Sequence, residues 1–305
     1  MNMGYEIKYM DCAVCGKGEK EYIGRRMPRA FDLDKQLQAD IVRCRSCGLF
    51  YPYPLPFAAR GQLDTNFGDH EKYFPSAVSQ ARLRFYKKIM EKIEKFSPVN
   101  KGKLLDVGCG RGELLHIAKN KGWQACGVDV SANFAGYARD RFNVDVKVGE
   151  VRGMGFAAES FDVITLISSL DHTYDPKGLL LELNKLLKKR GVLFIEVMNS
   201  GSLLYKLGDL YYRLTGRKIT TRLSPTFPSF QIYGFSPASI TKALELCGYE
   251  IVKIWIRGGV SRNEKAANKT AGEIFLRSAR VLCFILASIL GKGHVMEVCA
   301  RKKGD

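Results

Sequence analysis

Four cysteines in two matching pairs are the first residues of this chain whose type and spacing could do chemistry. Cys12-Ala-Val-Cys15-Gly16 and Cys44-Arg-Ser-Cys47-Gly48 are near-identical turns separated by 28 residues. Each Cys-x-x-Cys turn presents two sulfurs, and the glycine behind it permits the tight bend that aims both at one point. Two such turns can offer four thiolates to one tetrahedral Zn²⁺. Four thiolates leave no open coordination position, so the expected role is structural: the ion staples a module too small to fold on core burial alone. Redox chemistry would normally use a single pair beside a βαβ unit. The other five cysteines, Cys109, Cys126, Cys247, Cys283 and Cys299, are dispersed and read as buried packing, with Cys109 close enough to a ligand turn to touch its ligand.

The second group lies in Lys103-Leu-Leu-Asp-Val-Gly-Cys-Gly-Arg-Gly-Glu-Leu-Leu115, a buried-strand pattern that runs through glycines into a helix. A further apolar run ends at Asp129 about twenty residues on, which is the first half of a nucleotide-binding α/β unit. Gly108 and Gly110 would let the backbone turn and approach a ligand, Gly112 would open the helix, and Asp129 would accept hydrogen bonds from ribose hydroxyls. The spacing is Gly-x-Gly-x-Gly, not the Gly-x-Gly-x-x-Gly that suits a dinucleotide pyrophosphate. Asp106, just before the turn, would repel a pyrophosphate but attract an ammonium group. S-adenosylmethionine has such a cationic end together with a ribose and an adenine.

Residues 101–198 resemble the core of class I S-adenosylmethionine-dependent methyltransferases. Asp106-Val-Gly-Cys-Gly-Arg-Gly112 matches the family's first motif and Gly127-Val-Asp129 its ribose-binding strand end. Gly149-Glu150 falls at the adenine-side loop, Phe161 to His172 at the fourth strand and the loop after it, and Leu186 to Glu196 at the helix, turn and fifth strand that follow. The resemblance implies an α/β fold, a Rossmann-like seven-stranded doubly wound sheet, with a cofactor site formed by Asp106, Gly108, Cys109, Gly110, Gly112, Asp129, Val130, Gly149, Glu150 and Ser168. Combined with the N-terminal Cys₄ module and a proline-punctuated link (Leu49 to Pro56), the chain is similar to sugar C-methyltransferases and related small-molecule enzymes. It departs from the sugar enzymes where they carry Tyr-His-Glu-His: here the stretch reads Gln231-Ile-Tyr-Gly-Phe-Ser-Pro237, without the acid/base groups for drawing a proton from a sugar carbon. Oxygen is therefore favoured over carbon as the methyl acceptor.

A methyl acceptor of that kind needs a proton removed. His172, after the fourth strand, is the first candidate base, its alternative role being to brace the loop; Asp171 reads as a loop or cofactor-edge residue. Glu196 could orient the acceptor or be a buried carboxylate paired within the core, and Tyr233 is a third acceptor-side candidate. His116 and His294 read as bystanders.

These groups need elements to hold them. The expected parts are a zinc module over residues 1–56, a linker and helical cover over 57–100, and a methyltransferase domain over 101–305 with insertions at 199–233 and 258–292. Ala77 to Phe96 has helical spacing, with Leu83, Tyr86, Ile89, Met90 and Ile93 on one side. Asp69, His70, Tyr73 and Phe74, just before it, are placed to line the cleft. Late elements are expected as a helix from Ser236 to Cys247 and strands from Tyr249 to Arg257 and from His294 to Arg301.

Composition adds one constraint. Forty-eight Lys and Arg against 31 Asp and Glu leave a net charge of +17, which favours anionic partners. Apolar helices with basic residues at 203–214 and 274–290 suit peripheral contact with a membrane surface and an amphiphilic, lipid-linked acceptor; the plainer alternative for 274–290 is docking on the domain or in a dimer. The uncharged run is too short to span a bilayer. An RNA methyltransferase is a competing reading, disfavoured because the knuckles lack interleaved aromatic residues; a non-catalytic cofactor-binding scaffold is a third. The first ten residues lack a secretory pattern, so a cytoplasmic location is expected.

Overall fold

The computed structural model describes residues 5–26, 39–58, 80–223, 231–258 and 290–304. Asp69, His70, Tyr73, Phe74 and the 274–289 part of the apolar segment lie outside the described residues, as do 77–79 of the expected covering helix.

The central sheet is built from strands that are apolar on both faces. In β6 (Lys103–Val107), Leu104 packs to one side while Leu105 and Val107 pack to the other. In β10 (Leu187–Met198), Val192 and Phe194 oppose Leu193, Ile195 and Val197 in the same way. Such runs must be covered twice, which is the condition of a doubly wound sheet. One cover is α1 (Gln80–Phe96), α2 (Glu113–Asn120) and α3 (Ala132–Phe142), through Ile89, Met90, Ile93, Leu114, Ile117 and Ala138. The other is α4 (Pro176–Leu186) and α6 (Pro237–Leu246), through Leu180, Leu183, Ile240 and Leu244. Residue types set these helix starts: Asp175 caps α4 by accepting from the Gly178 N–H at 2.8 Å, and Ser236 with Ser239 forms a capping box ahead of Pro237 on α6.

Seven strands lie in the order β12-β13-β10-β9-β6-β7-β8, where β7 is Gln124–Asp129, β8 Asp145–Val148, β9 Phe161–Ile167, β12 Tyr249–Arg257 and β13 Val295–Lys302. All neighbours pair in parallel except β13, which runs antiparallel between β10 and β12. Strand order reverses beside β6: β7 and β8 extend one way, β9 and β10 the other. Open α/β sheets bind ligands at such a reversal, outside the carboxyl ends of the strands. The late elements fall within a residue or so of the expected bounds, the last strand one residue later at each end.

The cysteine turns belong to a second sheet. Strands β2 (Lys20–Arg26), β3 (Asp40–Cys44) and β4 (Phe50–Tyr53) are extended by β11 (Ile219–Thr220), which pairs parallel to β2. A small ribbon of β1 (Tyr5–Lys8) and β5 (Leu55–Ala58) adjoins it. Packing continues across residue 56: Cys12, Val14, Leu49, Tyr51 and Leu55 share one buried cluster with Leu170, Ile232 and Phe235. An edge strand contributed by residues 219–220 and a common core make the module part of the domain's wall, where the sequence suggested a separately stapled unit. The insertion after β10 supplies that strand and also α5 (Leu203–Leu214), none of whose side chains is buried.

Candidate functional site

Three glycines shape the loop between β6 and α2. Gly108, Gly110 and Gly112 hold φ of 74°, 53° and 76°, left-handed backbone that disfavours any side chain. A Cβ on Gly108 would come within 2.6 Å of Ser169 and one on Gly112 within 2.8 Å of Ala138, whereas at Gly110 it would meet nothing within 4 Å. The outer glycines therefore allow β9 and α3 to close on the loop, and the middle one faces open space. Cys109 turns inward: it is buried in the core, against Gly127, whose added Cβ would lie 2.7 Å from its sulfur. Its side chain packs under the loop.

Asp129 ties this loop to the neighbouring strand. One carboxylate oxygen accepts from the Gly110 N–H at 2.7 Å and the other from the Ser131 N–H at 2.9 Å. As an acceptor-only group, a carboxylate is the side chain suited to receive hydrogen bonds from a diol. Val130 is exposed beside it, Gly149 donates its N–H to the Asp129 carbonyl, and Glu150 is exposed at the start of a short 3₁₀ turn. The cofactor candidates Asp106, Gly108, Gly110, Gly112, Asp129, Val130, Gly149 and Glu150 thus lie along the carboxyl ends of β6, β7 and β8. The donor set fits the cofactor: an acceptor at the sugar position, backbone free of side chains, and buried negative charge at the cationic end.

Asp106 supplies that charge. It is 2% exposed, accepts from the Thr165 hydroxyl at 2.6 Å, and burial pushes its pKa up to about 7, with the Asp129 and Glu113 charges adding to the rise. Around it the structure gathers groups that the sequence did not single out. Glu113, 1% exposed, pairs with Arg82 of α1 at 2.9 Å, and Arg82 also donates to the Tyr86 hydroxyl at 3.3 Å. Arg111 lies 4.2 Å over the Tyr137 ring. The Arg-x-Glu inside the glycine motif and the Arg-Tyr pair four apart on α1 were the available signals for these residues.

The acceptor-side candidates fare differently. Ser168 closes β9 in a left-handed conformation, φ 52°, unusual for a residue with a side chain and a mark of a constrained site. Its hydroxyl donates to Glu196 at 3.1 Å. Glu196 is buried on β10 and takes a second bond from Arg257 at 2.7 Å; Arg257 also reaches Glu297 at 2.9 Å. Burial raises the Glu196 pKa while Arg257 opposes the rise, so the carboxylate is a paired one. Tyr233 is 1% exposed, and its hydroxyl donates to the Tyr174 carbonyl at 3.1 Å in the seam against the cysteine module. That hydroxyl is committed to the fold, while the structure brings Ser168 and Glu196 together.

His172 ends a 3₁₀ turn, Leu170–His172, directly after β9. Its side chain is 27% exposed, next to an Asp171 side chain only 3% exposed, with Nε2 3.9 Å from one Asp171 oxygen. Of the remaining histidines, His116 stacks near Phe142, and His294 is half-buried, with desolvation pushing its pKa down to about 4.

At the cysteine turns, Cys12 and Cys47 sulfurs are 3.4 Å apart, Cys15 and Cys44 3.6 Å, and all four lie within 4.8 Å of one another. A tetrahedron with metal–sulfur distances of about 2.3 Å has edges of roughly 3.8 Å, so the set fits one ion. Gly16 and Gly48, at φ 71° and 80°, return their N–H groups to the Cys12 and Cys44 carbonyls at 2.8 and 2.9 Å.

Known proteins resemble this arrangement. Residues 80–254 match the methyltransferase domain family. A ubiquinone biosynthesis O-methyltransferase of Coxiella burnetii is 27% identical over 160 residues, half of this chain; the match spans 66% of that enzyme's length. An S-adenosylmethionine-dependent methyltransferase from Archaeoglobus fulgidus superposes with a TM-score of 0.50 at 21% identity, over 76% of this chain and 98% of that one. A protein solved in complex with the Haloferax volcanii Trm112 methyltransferase activator gives 0.55 at 15% identity, over 81% and 100%. At these identities the two solved structures speak to the fold.

The raised Asp106 carboxyl makes a prediction with a definite sign. Its folded pKa of about 7 lies above the unfolded 3.8, so its ionisation costs stability as pH rises from about 4 through 7, on the order of 4 kcal/mol in full. A cationic ligand offsets that cost. S-adenosylmethionine should therefore bind more tightly as pH rises through 7, and Asp106→Asn should flatten the profile. Calorimetry between pH 5.5 and 8.5 checks this; an equally steep profile in the variant would contradict it.

Proposed function

The chain belongs to the methyltransferase domain family, and on that premise we propose that it transfers the S-adenosylmethionine methyl group to an oxygen of a small amphiphilic acceptor, with His172 taking the proton. The cofactor supplies an already activated methyl on a sulfonium, so what the protein must add is alignment and proton removal. The observation that carries the reading is the Asp171–His172 pair: a partly exposed imidazole beside a buried carboxylate, at the sheet edge that holds the glycine loop. A buried carboxylate steadies an imidazole that accepts a proton. The O-methyltransferase relatives support oxygen as the acceptor. Glu196 orients the acceptor through Ser168, whose hydroxyl it holds.

Zn²⁺ is the proposed ion at Cys12, Cys15, Cys44 and Cys47. Four thiolates close its coordination, so its part is structural.

The amphiphilic character rests on α5. Leu207, Leu210, Tyr211 and Leu214 are 47–78% exposed along it, with Lys206 and Arg213 exposed between them. Apolar side chains flanked by cations fit an anionic lipid surface. Among the described residues no helix is long and apolar enough to cross a membrane.

Two outcomes are expected. With lipid-tailed phenols or alcohols as acceptors and radiolabelled cofactor, His172→Asn should lower kcat by about 10²–10⁴ without changing cofactor affinity; an unchanged kcat would remove His172 as the base. The intact chain should co-sediment with phosphatidylglycerol vesicles at low salt, and Leu210→Glu with Leu214→Glu should abolish it. Equal sedimentation of both proteins would sink the α5 contact.

A further inference from the structure

The 3₁₀ turn that carries His172 is held by a segment of the chain remote in sequence, residues 231–234. Ile232 and Tyr233 both donate their N–H groups to the Asp171 carbonyl, at 2.9 and 3.1 Å. The Gln231 side-chain amide donates to Asp171 Oδ2 at 2.6 Å. Asp171 Oδ1 is buried and has no hydrogen-bond partner, and it is the oxygen that faces His172 Nε2 at 3.9 Å. Buried carboxylate oxygens are rarely left so, and an orphan at a reactive site calls for an explanation.

Residues 231–234 are in turn held by the cysteine module. Phe50, three residues beyond Cys47, exchanges backbone hydrogen bonds with Gly234 at 3.0 and 2.8 Å. On the far side of the turn, Tyr174 stacks on Phe57 with centroids 4.4 Å apart, donates to the Pro56 carbonyl at 3.3 Å and accepts from Tyr233. The turn is thus held, through Gly234 and Tyr174, by chain segments three and nine to ten residues beyond Cys47. The glycine loop and α2 pack instead in the cluster on the opposite face of the sheet.

We propose that Gln231 is a positioning residue, fixed by the cysteine module, whose amide occupies one Asp171 oxygen and so reserves the other for the His172 imidazole. The inference rests on the reading of His172 as the base and adds what sets that base in place. With Oδ2 satisfied by a neutral donor, the carboxylate cannot rotate away without leaving the amide unpaired. Oδ1 then accepts an imidazole N–H, which fixes the tautomer and raises the nucleophilicity of the other ring nitrogen. The cysteine module acquires a task beyond folding: it places the acceptor side of the active site and leaves the cofactor side to the glycine loop.

The test needs no acceptor. The rate of carbethoxylation of His172 by diethyl pyrocarbonate, followed by peptide mass spectrometry on the full chain, reports imidazole nucleophilicity. Gln231→Leu should slow it several-fold, to the level of Asp171→Asn, while S-adenosylmethionine affinity by calorimetry is unchanged. Stripping the cysteine site with a chelator, with the released zinc counted, should slow it in the same way. A merely structural role for Gln231 would loosen the turn, expose the ring and speed the reaction; a faster or unchanged rate in Gln231→Leu overturns the proposal. An unchanged rate after zinc release overturns the module's share in it. Because the readout is independent of turnover, a His172→Asn enzyme that still turns over would remove the base and leave the brace standing.

Discussion

The bond between the Asp129 carboxylate and the Gly110 N–H is the contact on which the rest of the site depends. Three left-handed residues in five leave the loop with little intrinsic preference for one path, and a carboxylate at the end of the adjacent strand selects it. A charged acceptor makes such a bond worth about 1.5–3 kcal/mol, enough to hold a short loop. Once the loop is set, Gly108 admits Ser169 and brings the end of β9 alongside, and Gly112 lets α2 settle on α3. On the proposed reading the same carboxylate would also receive the ribose hydroxyls, so that one group would both build the cradle and hold its occupant.

Charge is arranged unevenly around that cradle. Asp106, Asp129, Glu113, Glu196 and Glu297 are buried along one edge of the sheet, against Arg82, Arg257 and Lys92 as their partners. Glu113, Glu196 and Glu297 each have a cation. Among the described residues the Asp106 carboxylate accepts from the Thr165 hydroxyl, and burial drives its pKa up to about 7. An uncompensated buried carboxyl is costly unless a ligand brings the missing positive charge. On the proposed reading, the cationic end of S-adenosylmethionine would bring that charge to Asp106.

What could be read from the sequence follows from how local the signal is. Strands buried on both faces are continuous apolar runs, and the glycine turn, Asp129 and the two cysteine knuckles are contiguous motifs, so all were legible. The bounds of α6 and β12 lie within a residue of those expected. Arg257 and Gln231 were not legible, because each matters only through a partner tens of residues away, and an isolated arginine or glutamine in a chain of net charge +17 carries no signal of its own. Tyr233 was read toward the acceptor, and the Phe50–Gly234 pairing next to it draws its hydroxyl into the seam. The shared core of module and domain escaped for the same reason: Thr220 gives no hint in its own neighbourhood that it will pair with Arg26.

The central claim is that the loop and Asp129 form an S-adenosylmethionine site. Calorimetric titration of the cofactor into wild type and Asp129→Ala tests it most directly, with circular dichroism to show that both are folded. The account predicts saturable one-to-one binding to wild type and its loss, by a hundredfold or more, in the variant. Equal affinity in the two proteins, or no binding to folded wild type, would contradict it.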